Sequence, residues 1–205
     1  MGDGQPSDAE VIQRCRRGEV EPFSLLVKRY QDRVYNLAYR LLGNPDDALD
    51  AAQDTFVRAY VALSRFETDR PFAPWLFRIV TNTCYGMLRK RRPEVSFEAI
   101  EELEPSSGSA AAGGSAEGDP EQWVLRSIQD EEIQRAVLAL SEPSRTVVLL
   151  RYMEGLSYEA IAAALEMPIG TVKTHLHRAR RRLREVLTEE PIHYGSTETR
   201  RKAEE

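Results

Sequence analysis

The chain has 205 residues, of which 41% are hydrophobic, enough for one ordinary domain or two small ones and too many for a wholly disordered protein. No apolar run approaches the ~18 residues that span a bilayer, and the N-terminus lacks the basic flank and apolar stretch of a secretory signal. The two cysteines, Cys15 and Cys84, are too few for a disulfide framework and lack C-x-x-C spacing. We therefore expect a cytoplasmic protein without a membrane insertion.

The net charge of −5 is unevenly distributed along the chain. Residues 94–119 contain seven acidic residues and no basic one, whereas basic residues concentrate in 89–92 and 173–184. An acidic protein overall therefore carries two basic patches suited to nucleic acid, with an acidic segment between them.

Residues 1–93 show helical periodicity and no useful strand-like alternation, which predicts a bundle of four helices. Ser7 and Glu10 have capping-box spacing, and Gly18 ends this first short helix. A long amphipathic helix begins near Phe23 and ends at Gly43. A third begins after Asn44 and Pro45, and a fourth follows a loop over 65–71.

The third helix is predicted to be amphipathic, with one apolar and one polar face. The predicted apolar stripe comprises Ala48, Leu49, Ala52, Phe56, Ala59, Tyr60 and Leu63. The predicted polar face comprises Asp47, Asp50, Gln53, Asp54 and Arg58. On the fourth helix, Trp75 falls on the apolar stripe and is predicted to lie in the core.

Residues 94–122 are predicted to be a flexible acidic linker, because 104–120 are rich in Gly, Ser and Ala and have little to bury. A plain tether and an active role both stay open on composition alone. After the linker, residues 123–190 predict a second all-helical domain of four helices. The tail, 191–205, is polar and is predicted to fray.

The last two predicted helices form a helix-turn-helix. The first is short and capped by Ser157; a turn over 167–170 containing Gly170 precedes a helix from Thr171 to about Leu187. On a helical wheel, Val172, Leu176, Ala179 and Leu183 face inward. The predicted DNA-contacting residues are Thr171, Lys173, Thr174, His177, Arg178, Arg181 and Arg182. Arg pairs with both guanine acceptors, and the later arginines suit phosphates.

Nothing in the sequence predicts an enzyme, a metal site or a cofactor. His175 and His177 are two residues apart, so they point in nearly opposite directions from a helix and cannot chelate one metal ion. No phosphate-binding glycine loop, nucleophile motif or paired-carboxylate motif is present.

Together these segments resemble the sigma-70 family of RNA polymerase sigma factors, in its extracytoplasmic-function (ECF) subgroup. The resemblance rests on residues 23–30 (FSLLVKRY), 46–60 (DDALDAAQDTFVRAY), 72–82 (FAPWLFRIVTN), 140–145 (LSEPSR), 155–162 (GLSYEAIA) and 170–179 (GTVKTHLHRA). It implies a non-enzymatic specificity subunit that binds core RNA polymerase and promoter DNA. It also implies an anti-sigma protein as an inhibitory partner.

The resemblance assigns roles to residues of this chain. Asp50, Gln53 and Asp54 would bind the clamp helices of the largest polymerase subunit. The unpaired −10 strand would be held by Phe66, Glu67, Thr68, Asp69, Arg70, Asn82 and Arg89, with a flipped base captured by the loop. The helix-turn-helix would bind the −35 element as duplex. Gly86 departs from the family, in which the position four after Asn82 is often polar and meets −10 DNA.

Two further expectations follow. The acidic linker would thread the RNA-exit channel and, in the free protein, cover the basic residues 173–184. The alternative function is an operator-binding regulator, which would need an effector or receiver domain; residues 1–93 show no βα alternation for one.

Overall fold

The computed structural model describes residues 6–91 and 131–189. The predicted linker over 94–122 and the tail over 191–205 lie outside the described residues. Within those ranges the chain is helical apart from short connections, in two bundles. The first bundle comprises α1 (Asp8–Arg16), α2 (Phe23–Leu42), α3 (Pro45–Ala62), a 3-10 turn (Leu63–Arg65) and α4 (Phe72–Arg91). The second comprises α5 (131–138), α6 (Glu142–Tyr152), α7 (Tyr158–Leu165) and α8 (Ile169–Glu189).

Local signals set the helix ends in the first domain much as the sequence predicts. Ser7 and Glu10 form a capping box, with Glu10 accepting from the Ser7 backbone N–H at 2.7 Å. Gly43 ends α2 in the left-handed conformation, with φ of 74°. The Asn44 side chain accepts from the Asp47 N–H at 3.0 Å, and Pro45 opens α3.

The core of the first domain forms where α2 crosses α4. Leu26, Val34, Leu37, Leu41, Leu76, Phe77 and Val80 are all fully buried there. Burial of each such side chain stabilises the fold by roughly 1.5–3 kcal/mol. The inner face of α3 carries small residues, Ala48, Ala51, Ala59 and the buried Thr55, so α3 packs closely on α2.

The predicted faces of α3 are wrong at three positions. Asp47, placed on the polar face, is 6% exposed and forms an ion pair with Arg91 from the last turn of α4. Leu49 and Tyr60, placed on the apolar stripe, are 52% and 40% exposed. The buried face is rotated because small side chains and a paired carboxylate, rather than the largest apolar residues, fit against α2 and α4.

The second domain contains the predicted helix-turn-helix in α7 and α8. Ser157 caps α7 by accepting from the Ala160 N–H at 3.1 Å. The predicted turn is wrong in detail, since α8 begins at Ile169 and Gly170 lies in its first turn. Glu166 takes the left-handed conformation with φ of 52°, and the Pro168 carbonyl accepts from the Thr171 N–H at 2.9 Å. The fixed φ of Pro168 suits the start of a helix, so α8 begins before Gly170, which was predicted to lie in the turn.

The two domains contact each other through α2 and α4 on one side and α5, α6 and α7 on the other. The Arg145 guanidinium is buried there and donates to the carbonyls of Leu41 (2.7 Å), Leu138 (2.6 Å) and Leu140 (3.1 Å). Leu138 also lies against Gly43 so closely that a Cβ at Gly43 would be 2.8 Å from its Cδ1. Glycine therefore serves both the left-handed turn and the close approach.

Candidate nucleic-acid and polymerase interfaces

The surface of α8 is divided into an apolar and a basic face. Val172, Leu176 and Ala179 are at most 2% exposed and anchor the helix on α6 and α7. The predicted −35 residues that are exposed are Lys173, Thr174, His177, Arg178, Arg181 and Arg182, whereas Thr171 is half-buried. The fold therefore presents a continuous basic face with no apolar side chain interrupting it.

The predicted −10 residues fall into two positions, the loop before α4 and the outer face of α4. Glu67, Asp69 and Arg70 are exposed in the loop, and Thr68 is half-buried. Asn82 and Arg89 are exposed on α4. The set therefore surrounds the N-terminal end and one side of a single helix.

Phe66 is the predicted loop residue that the structure does not place on the surface. It is 4% exposed, with its ring centroid 4.8 Å from that of Trp75 and 5.7 Å from that of Phe72. Trp75, predicted to be core, is half-buried in the same cluster. Phe66 therefore packs the loop against α4, and a direct contact between Phe66 and DNA requires its side chain to leave this aromatic cluster.

The outer face of α3 is polar at its N-terminal end and apolar at its C-terminal end. Asp50 and Gln53 are exposed, and the half-buried Asp54 accepts from Arg58 at 2.8 Å. One turn further on, Val57 and Val61 are 63% and 73% exposed. They line an open apolar groove together with Val20, Phe23, Phe56 and Tyr60. This groove was not predicted from the sequence, because Phe56 and Tyr60 fall on the predicted apolar stripe of the helix.

Two family models match the chain and together cover most of both domains. Residues 26–94 match "Sigma-70 region 2" and residues 130–183 match "Sigma-70, region 4". An "ECF RNA polymerase sigma factor SigW" of Bacillus subtilis is 38% identical over 180 residues, covering 86% of this chain and 94% of the relative. The chain belongs to the ECF group of the sigma-70 family.

Other relatives of this sigma factor agree with that membership. The "RNA polymerase sigma-H factor" of Pseudomonas aeruginosa is 37% identical over 178 residues, covering 86% of this chain and 91% of the relative. The factor is accordingly a non-enzymatic protein that initiates transcription at promoters, and the alternative of an operator-binding regulator is wrong.

Solved structures share the fold of the factor. CnrH, solved in complex with the cytosolic domain of CnrY, superposes with a TM-score of 0.67 at 26% identity, covering 89% of this chain and 98% of that one. The sigma factor RpoE of Bartonella quintana, solved with the anti-sigma factor NepR, superposes with a TM-score of 0.64 at 30% identity, covering 82% and 98%.

Two further functional candidates on α4 of the sigma factor, Arg78 and Tyr85, were not predicted from the sequence. Arg78, Asn82, Tyr85 and Arg89 are spaced four, three and four residues apart, so they form one stripe along the helix. Arg78 and Tyr85 are half-buried, whereas the other two are exposed. The spacing of Arg78 and Tyr85, four and three residues from Asn82, is the signal in the sequence that could have found them.

Neighbouring acids and phenols modify the basic face of α8. Arg181 and Arg182 lie 3.0 and 3.5 Å from Glu185, an acid just beyond the basic residues 173–184. The hydrogen bond from Arg181 lowers the pKa of Glu185. The Arg180 Nε donates to the Tyr152 hydroxyl at 2.7 Å, which holds this guanidinium at the flank of the helix.

The described parts of the factor contain no group of three or more His, Cys, Asp or Glu side chains arranged to hold a metal ion. No helix within residues 6–91 and 131–189 is long and apolar enough to cross a bilayer.

Burial raises the pKa of the Cys84 thiol to about 12, so this cysteine is a small core residue rather than a reactive one.

Proposed function

We propose that the factor binds the −35 element as duplex through α8 and the unpaired −10 strand through α4 and the loop before it. The observation that carries the proposal is the exposed basic face of α8, anchored by fully buried residues on its other side. A helix of this kind, placed second in a helix-turn-helix, suits the major groove. Arg178 lies in its N-terminal half, where base contacts concentrate, and Arg182 lies further along, nearer the phosphates.

We further propose that the outer face of α3 binds the clamp helices of the polymerase. Asp50, Gln53 and Asp54 supply its polar part, and Val57 and Val61 extend it with an apolar groove. An apolar centre beside charged groups is the usual composition of a protein interface. An acidic and apolar face is also a poor surface for DNA, which separates this face from the basic ones.

The relatives support an inhibitory partner as well. CnrH was solved with CnrY and RpoE with the anti-sigma factor NepR. We propose that an anti-sigma protein binds this factor too, and that the factor acts in the cytoplasm.

We propose domain bounds of 1–93 and 123–190, joined by an acidic linker over 94–122 that follows the RNA-exit channel.

The experiment is transcription by purified core polymerase plus the factor on a library of randomised promoters. We expect enriched promoters to share two sequence blocks, one near −35 and one near −10. A variant of α8, Arg178→Ala, should change the upstream block alone. If enriched promoters lacked an upstream block, or if this variant changed only the downstream one, the assignment of α8 to −35 would be overturned.

A further inference from the structure

The second domain contacts two residues, Arg78 and Tyr85, of the stripe of α4 that also contains Asn82 and Arg89. Arg78 Nη1 is 2.6 Å from Glu166 Oε1 at the end of α7. The Tyr85 hydroxyl donates to the Glu142 carbonyl at 2.6 Å and also contacts the Thr146 hydroxyl. Asn82 lies between these two attachment points on the same face of the helix. The second domain therefore holds the residues on either side of the main −10 candidate.

A second set of contacts lies on α2. Arg33 binds Glu154 with its Nη2 2.7 Å from Oε2, and the Glu154 side chain is 2% exposed. Burial raises the pKa of this carboxyl, and the facing Arg33 opposes that shift. A carboxylate this deeply buried is costly without its partner, so the pair favours the docked arrangement as long as both members are present.

Burial along α6 reflects the same docking. Residues 144–150, seven in succession, are all buried. An amphipathic surface helix exposes one face, so a helix buried on every side must be covered from two directions. Here α8 and α7 cover one side and the first domain covers the other.

Several of the contacts between the domains are nevertheless polar. The pair of Arg78 and Glu166 is exposed, with side-chain exposures of 37% and 66%, and such pairs contribute only about 0–1 kcal/mol. Arg145 donates to carbonyl groups, and its Nε has no hydrogen-bond partner among the described residues. Contacts of this kind are common between domains of one chain, which move relative to one another unless their interface is large and hydrophobic.

We propose that this arrangement is a closed state of the factor, in which the second domain and the unpaired −10 strand compete for the same stripe of α4. The proposal rests on the proposed role of α4 in binding the −10 strand. It adds Arg78 and Tyr85 to the DNA-binding residues, because a guanidinium and an aromatic ring beside Asn82 suit phosphates and stacked bases. Opening the domains releases both side chains to the DNA.

The two partners of one ion pair provide the test, because only Arg78 belongs to the DNA surface. Glu166→Lys and Arg78→Glu each place like charges opposite one another and should open the full-length factor. Glu159→Lys is the matched control, since it makes the same charge change on an exposed residue of α7 away from this contact. The double variant with Glu166→Lys and Arg78→Glu restores an ion pair and should close again.

Two quantities are measured on the free, full-length proteins: the radius of gyration by X-ray scattering, and affinity for a fluorescent pool of short single-stranded DNA of random sequence. We expect Glu166→Lys to expand the protein and bind this DNA at least about fivefold tighter than the control variant. Arg78→Glu should expand the protein without tighter DNA binding. The double variant should be as compact as the wild type.

Three results would overturn the proposal. The closed state is wrong if neither Glu166→Lys nor a second opening variant, Arg33→Ala, expands the protein. The competition is wrong if Glu166→Lys expands the protein yet binds DNA no tighter than Glu159→Lys. If Arg78→Glu and Glu166→Lys raise the affinity for single-stranded DNA equally, Arg78 lies outside the DNA-binding surface. Failure of the proposed −10 role itself would appear separately, as unchanged −10 preference of Asn82→Ala in transcription, with the scattering results intact.

Discussion

Individual side chains on α8 differ in their surroundings although they share one basic face. Arg178 is exposed in the N-terminal half of the helix, whereas Arg182 lies within reach of Glu185. Arg180 is held by Tyr152 at the flank. Similar residue types therefore have different contacts available to them, and substitutions should separate their roles.

We expect Arg178→Ala to cost about 1–3 kcal/mol of binding at one base pair of the −35 element and to relax preference there. Arg182→Ala should instead weaken all promoters by a similar factor and reduce the salt dependence of binding, as loss of a phosphate contact does. Affinities of the polymerase holoenzyme for single-base variants of one promoter give both profiles. Equal base-by-base profiles for the two variants would contradict the division of roles.

At the scale of the helix, α4 contains a poor helix-forming residue, Gly86, in its interior. Nothing lies within 4 Å of the position that a Cβ would occupy there. We expect Gly86→Ala to raise the free energy of unfolding by about 0.5–1 kcal/mol, because alanine loses less backbone entropy in a helix. Thermal unfolding followed by circular dichroism measures this change.

Gly43→Ala is the matched control for this prediction. Gly43 has φ of 74°, and a Cβ would meet Leu138 at 2.8 Å, so the same substitution should lower stability. If both substitutions lowered the unfolding temperature by the same amount, the free space at Gly86 would not be the deciding factor.

The outer face of α3 provides a second prediction at this scale. We expect the pair Asp50→Lys and Asp54→Lys, and separately Val57→Asp, to weaken binding to core polymerase about tenfold or more, since each alters an exposed interface group. Helical content should stay unchanged because none of the three is buried in the core. Affinity for core polymerase is measured with Asp32→Lys, an exposed acid of α2, as the control. Retained affinity in the α3 variants would remove this face from the interface.

At the scale of the whole molecule, the contact between domains determines the environment of Tyr85. Burial raises the pKa of Tyr85 to about 12, against about 10 for an exposed tyrosine. The closed state therefore favours the neutral phenol. The resulting stabilisation of the closed state is complete below about pH 10 and is lost as the pH rises through about 12.

We expect the pKa of Tyr85 to return toward 10 in Glu166→Lys or Arg33→Ala, because the phenol regains water when the domains separate. The measurement is tyrosinate absorbance against pH, with the signal of Tyr85 obtained by subtracting that of Tyr85→Phe in the same background. A late titration that persists in both opened variants would show that the first domain alone buries the phenol.

Local signals in the sequence were sufficient for the helix content, the caps and the inward face of α8. Ser7, Asn44, Gly43 and Ser157 act through backbone groups within a few residues, so their roles are visible without tertiary contacts. The motifs around Trp75 and Gly170 were likewise sufficient for the family, because they are contiguous in the chain.

Other features depended on packing between segments that are distant in sequence. The buried face of α3 differs from the predicted one because Arg91 pairs with Asp47 and because small residues face α2. A helical wheel of α3 alone shows neither contact. The burial of Phe66 came from ring contacts with α4. The docking of the second domain on Arg78 and Tyr85 joins residues that are 88 and 57 positions apart, respectively. Sequence periodicity specifies which face of a helix is apolar, whereas only the assembled structure decides which neighbour covers it.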